Sequence, residues 1–147
     1  MSSREHRVRD AAWLGAAVFA AYGLVFWVPF LYDDVVMLIG NPEIVGGWRG
    51  LRHLLTTPLM HMGLYESVPT LLHRWIYAAA GEHTALYRLT SLLLHWANAV
   101  LVLGLLRRWL GREAPCCWLA LLFALFPAHI EVLAISTFKK HLLVSLF

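Results

Sequence analysis

From Ala11 to Leu31 the chain carries no charged residue. About 20 apolar residues suffice for a helix to cross the hydrocarbon core of a bilayer, so this stretch predicts a first transmembrane helix. Composition points the same way. The 147 residues are 60% hydrophobic and 14% charged, with a mean hydropathy of +0.64, against about 45–50% apolar and about 25% charged in soluble domains. The apolar run is long for a signal-peptide core and has no evident small-residue cleavage site, so the helix is expected to be retained. Seven Trp and five Tyr suit residence at membrane interfaces. The net charge of +3 is small and its basic residues are scattered, which argues against a nucleic-acid partner.

Three further apolar segments follow. One spans 86–106, interrupted by Arg88, His95 and Asn98, and ends at Arg107-Arg108. Another spans 116–128, and the last covers 141–147. The expected fold class is therefore all-α: a polytopic membrane protein with about three to four transmembrane helices. Positive charge is favoured on the cytoplasmic side. Six of the twelve Lys and Arg (Arg4, Arg7, Arg9, Arg107, Arg108, Arg112) lie in the short stretches 1–10 and 107–115. This places 1–10 and 107–115 inside, and 32–85 and 129–140 outside. The expected location is a bacterial-type inner (plasma) membrane, with a cytoplasmic N-terminus and membrane lipid as the partner. Cys116 and Cys117 are adjacent and without other cysteines, so they read as small apolar residues rather than metal ligands.

The first outer loop is more than a linker. Asn41-Pro42 and Gly46-Gly47 mark turns. In Trp48 to Thr57 the apolar residues fall on one helical face, the pattern of a helix lying in the interface plane. Ser67 to Ala80 predicts a second helix, with Pro69 in its first turn and Gly81 at its end.

Several polar groups stand out against this background. Asp33 and Asp34 follow the first apolar segment directly, and adjacent carboxylates repel, which tends to raise one pKa. Arg88, Ser91, His95 and Asn98 recur at helical spacing in the second apolar segment, either as hydrogen-bonding glue between helices or as part of a site. His129 and Glu131 would share a cavity on an extended or turn backbone. With His141 and the Asp pair they could hold a divalent metal, although nothing local requires one. Lys139 and Lys140 can anchor lipid phosphate or hold a phosphate leaving group. Eight His raise the question of haem, but two facing helical histidines at matched depth are not evident in the sequence.

The ordered set of motifs resembles the N-terminal part of the C-fold (GT-C) membrane glycosyltransferases, most like the O-mannosyltransferase type linked to tetratricopeptide repeats. The residues concerned are Tyr32-Asp33-Asp34, Asn41-Pro42, Tyr65 to Pro69, Tyr87 to Thr90 with Leu94-His95 and Asn98, Phe123 to Glu131, then Ser136 and Lys139 to Phe147. The resemblance implies an inverting transfer from a polyprenyl-phosphate sugar to an acceptor hydroxyl at the outer face. It implies Asp33 or Asp34 as the base, and Arg88, His129, Glu131, Lys139 and Lys140 around the substrate and lipid phosphate. Where the family often has Tyr-Arg-Pro, this chain has Tyr65-Glu66-Ser67-Val68-Pro69. It has Phe126-Pro127 for the usual His-Pro, and Lys139-Lys140-His141 for Arg-Lys-Asp.

The last apolar segment stops at Phe147 after seven residues, too short to span at 1.5 Å per residue. Two expectations follow. The chain is the N-terminal part, or a shortened relative, of such an enzyme and is inactive alone. Alternatively, it is a non-catalytic membrane subunit that packs with membrane protein partners in a larger complex.

Overall fold

A computed structural model describes residues 3–46, 66–111 and 115–146. The interfacial helix expected over Trp48 to Thr57, as well as Tyr65 and Arg112, lies outside the described residues. Every regular element described is helical. Helix α1 (Ser3–Tyr22) tightens into a 3₁₀ turn, Gly23–Trp27. A π-helical turn, Val35–Ile39, and the short α2 (Pro42–Val45) follow. Then come α3 (Ser67–Ala80), α4 (Thr84–Leu110), α5 (Cys116–Ala124) and α6 (His129–Ala134). A 3₁₀ turn, Ser136–Phe138, leads into α7 (Lys139–Val144).

Among the described residues two helices are long and apolar enough to cross a membrane, Glu5–Trp27 and Thr84–Leu110. Only 28% and 33% of their most apolar windows are buried in the molecule, so both turn most of their apolar surface outward. Leu24, Trp27, Leu101, Leu105, Trp118 and Leu122 are among the exposed side chains. A surface of this kind suits lipid better than water, and the chain reads as a membrane protein. The count falls short of the three to four spans expected from the sequence. Helix α5 has nine residues, roughly 13 Å at 1.5 Å per residue. Pro127 disfavours helical geometry at Phe126 and cannot donate to the helix ladder, so the 116–128 segment breaks before it can cross. Helix α7 has six residues. The first helical run also ends earlier than Leu31. Val28 is extended, the conformation imposed on a residue before proline, here Pro29.

The main core lies where α1, α4 and α5 meet. Leu14, Val18, Tyr22 and Val25 recur at helical spacing along α1 and its 3₁₀ extension, and pack on Leu92, Ala99 and Leu103 of α4 and Ala120 and Ala124 of α5. Small residues at these crossings let backbones approach closely. At Gly15 a Cβ would sit 3.1 Å from the Trp96 indole, whose Nε1 donates to the Ala11 carbonyl at 2.8 Å. A second core joins Leu38, Ile44, Ile76 and Tyr87, and holds the π turn, α2 and α3 against the first turns of α4.

Pro69 and Gly81 bound α3 as the sequence predicts. Its polarity is inverted, however. Thr70, His73 and Arg74 are buried beside Ile76, while Val68 and Trp75 are exposed. The inward polar face supplies one wall of the candidate site.

Candidate functional site

The strongest concentration of chemistry is a buried polar cluster around Asp34 and Ser136, to which α3, α4, the Ser136–Phe138 turn and α7 contribute. Tyr32 adopts φ +40°, a left-handed conformation uncommon for a residue with a Cβ. At this corner the two carboxylates part company: Asp33 is exposed and Asp34 fully buried. The Asp34 carboxylate accepts the backbone N–H of Ser136 at 3.0 Å and of Thr137 at 2.9 Å. It also accepts the Thr137 hydroxyl at 3.2 Å. Arg88 Nη1 lies 3.6 Å from it, with both side chains fully buried.

Arg88 extends the network. It donates to Ser136 Oγ at 2.9 Å and to the Pro29 carbonyl at 2.7 Å, and sits over the Phe30 ring. The Val28 and Pro29 carbonyls that face it are those left without helical partners where the first helix breaks. The Ser136 carbonyl accepts from His73 Nε2 at 3.0 Å, which places the ring proton on Nε2. It also accepts from Lys139 Nζ at 3.4 Å, and that ammonium lies over the Tyr87 ring. Burial, and then the charge of Lys139, push the His73 pKa down to about 3. Burial, and then the charge of Arg88, push Lys139 down to about 7, while Asp34 pulls the other way. His73 is therefore neutral near pH 7, and Lys139 is half-titrated there.

Asp33 belongs to a different space. It lines a narrow cavity of about 70 Å³ with Asn41, Glu66, Thr70, Thr137 and Lys140. Lys140 Nζ pairs with Glu66 Oε1 at 2.8 Å across this cavity. The adjacent lysines are thus divided as the adjacent aspartates are, with Lys139 in the buried cluster and Lys140 at the cavity. A wider apolar groove on the far side of the Glu66–Lys140 pair is lined by Val68, Pro69, Leu143 and Val144.

The remaining sequence candidates do not join either group. His129 opens α6, so His129 and Glu131 point to different sides at about 100° per residue, not into one cavity as an extended backbone would allow. Glu131 is exposed. The half-buried His129 ring lies 4.6 Å from that of His95, and burial lowers its pKa. His95 Nε2 donates to the Ala124 carbonyl at 2.9 Å, and Asn98 donates to the Leu142 carbonyl at 3.0 Å. Both act as helix-to-helix hydrogen bonds, whereas Ser91 Oγ donates to the Tyr87 carbonyl within its own helix. His141 is exposed against Phe138. Among the described residues no three His, Cys, Asp or Glu side chains converge as a metal site, so the set drawn from His129, Glu131, His141 and the Asp pair is not assembled.

Two contributors went unnoticed in the sequence. His73 shares the inward face of α3 with Thr70 and Arg74, at the spacing that singled out the polar face of α4, and could have been found by the same argument. The Thr137 amide carries no side-chain signal.

No family model matches the sequence, and no solved structure matches it. Among curated proteins, Protein O-mannosyl-transferase Tmtc1 of Drosophila melanogaster is 31% identical over 127 residues, which is 81% of this chain and 15% of that protein. The chain therefore spans about 15% of the length of the relative it matches. This is a distant, glycosyltransferase-like relationship that covers most of the chain.

Proposed function

We propose that this chain forms the acceptor-activating part of a glycosyltransferase that uses a polyprenyl-phosphate sugar. Asp33 is the general base. The observation that carries this reading is the division of the Asp pair: only Asp33 presents a carboxylate to a cavity, whereas Asp34 is engaged by two amides, a hydroxyl and a guanidinium. A base must reach the proton it removes, and Asp34 has no free approach. Asp33 takes the acceptor hydroxyl proton as that oxygen attacks the anomeric carbon. The bond from that carbon to the phosphate oxygen breaks, and the configuration inverts. Lys140 exchanges Glu66 for the departing phosphate, which needs a cationic donor. Asp34, Arg88 and Lys139 act as positioning residues that hold the Ser136–Phe138 turn against the cavity.

Transfer from polyprenyl-phosphate mannose to a hydroxyl-bearing peptide is the first assay, because the relative is named for O-mannosyl transfer. Asp33→Asn is expected to lower transfer at least about 100-fold, the usual contribution of a general base, with unchanged thermal stability. Wild-type rates in Asp33→Asn would overturn the assignment. The Glu66–Lys140 pair favours a second reading, a non-catalytic membrane subunit, because it neutralises the lysine at the cavity. A native chain that shows no transfer and co-purifies stoichiometrically with a membrane protein would support that reading.

A further inference from the structure

At the other end of the two long helices lies a cavity that the glycosyltransferase reading does not use. Helices α1 and α4 run antiparallel: Arg88 reaches the carbonyls beyond the end of α1, and Arg107 pairs with Asp10 near its start. Between the start of α1 and the end of α4 they enclose a space of about 540 Å³, within the range of small-molecule sites. Its floor is apolar, formed by Ala11, Val100, Leu103 and Gly104. Among the described residues its mouth carries Arg7, Arg107 and Arg108 against the carboxylate of Asp10.

We propose that this cavity binds an anionic phospholipid, with the phosphate on the three arginines and an acyl chain along Val100 and Gly104. Three observations on different levels support it. Charge comes first: among the described lining residues three guanidiniums face one carboxylate, an excess of positive charge that suits a phosphate, and guanidinium forks match phosphate oxygens. Shape comes second. A Cβ on Gly104 would meet nothing within 4 Å, so the groove beside α4 is open at that residue and offers a channel for a chain. Depth comes third. These are the two helices long enough to cross a membrane, and Trp109, 77% exposed, marks this end as an interface, where indole rings settle. A basic pocket between membrane helices at headgroup level is a recurring lipid site. A free phosphate would use the arginines and leave the apolar floor in contact with water.

The test uses the full chain in mild detergent, with native mass spectrometry of bound phosphatidylglycerol, phosphatidylcholine and inorganic phosphate. Phosphatidylglycerol is expected to bind at least about tenfold more tightly than phosphatidylcholine. Arg7→Gln with Arg108→Gln should remove that preference and leave phosphatidylcholine binding as it was. Both arginines are exposed, so the fold should survive, and thermal melting checks this. Gly104→Phe should weaken phosphatidylglycerol about tenfold with every charge in place, which surface attraction alone cannot explain. Equal binding of the two lipids would overturn the proposal, as would a Gly104→Phe chain that binds phosphatidylglycerol like wild type. Displacement of phosphatidylglycerol by equimolar inorganic phosphate would also overturn it, and would assign the arginines to a soluble anion.

Discussion

Asp34 shows how one residue can organise a turn contributed from the far end of the chain. Its carboxylate ties the Ser136–Phe138 turn to the segment that follows the first long helix and faces a guanidinium that is itself fully buried. Removing one partner of a buried ion pair typically costs about 3–5 kcal/mol, because the other charge is left uncompensated. Asp34→Asn should therefore lower stability by about 3 kcal/mol, where Asp33→Asn leaves it unchanged. Thermal melts of the two variants distinguish a positioning aspartate from a catalytic one.

Titration gives a second prediction at this scale. The native pKa of Lys139 is near 7, below its ordinary 10.5. Between those values the unfolded chain holds a proton that the native chain has shed, so stability rises as pH rises from about 7 to 10.5. His73 is held near 3, below its ordinary 6.5. From pH 6.5 down to 3 the unfolded chain takes up a proton that the native chain refuses, so stability falls on acidification. Each limb has a slope of up to about 1.4 kcal/mol per pH unit. Denaturation followed by circular dichroism across pH should show both limbs, and Lys139→Met should flatten the alkaline one. An unchanged alkaline slope in that variant would sink the assignment.

Among the elements, the α1–α4 contact depends on a missing side chain. The Trp96 indole lies where a Gly15 side chain would start, held there by its hydrogen bond to Ala11. Gly15→Val should force the helices apart and cost about 1–3 kcal/mol, the usual penalty of overpacking. A shift in tryptophan emission together with a lower melting temperature would report it. The limits of α3 were legible from Pro69 and Gly81, because a proline in the first turn and a glycine after the last act locally. Which face of α3 turns inward was not legible. Apolar periodicity suggests a face laid on lipid or protein, yet the helix buries Thr70, His73 and Arg74, and the Ser136 carbonyl that accepts from His73 lies on another element.

For the whole molecule, the outward apolar surfaces of Glu5–Trp27 and Thr84–Leu110 predict that the chain resists alkaline carbonate extraction and is released only by detergent. Recovery in the carbonate supernatant would contradict the membrane reading. The divided aspartates lie at one end of these helices, while the arginine-mouthed cavity lies at the other.

The sequence by itself determined the helical class, the two long apolar spans, the limits of α3 and the Asp33-Asp34 pair as a place to look. Each of these is written in neighbouring residues, through hydrophobic run length, turn chemistry or adjacent charge. Only the tertiary structure decided which aspartate faces a cavity, which lysine is buried, and that the 116–128 segment breaks into a short helix and a turn. Asp34 meets Ser136 across a separation of 102 residues, and His73 meets the same residue across 63. Contacts at that range depend on how α1, α3 and α4 pack, and a local pattern carries no information about its distant partner.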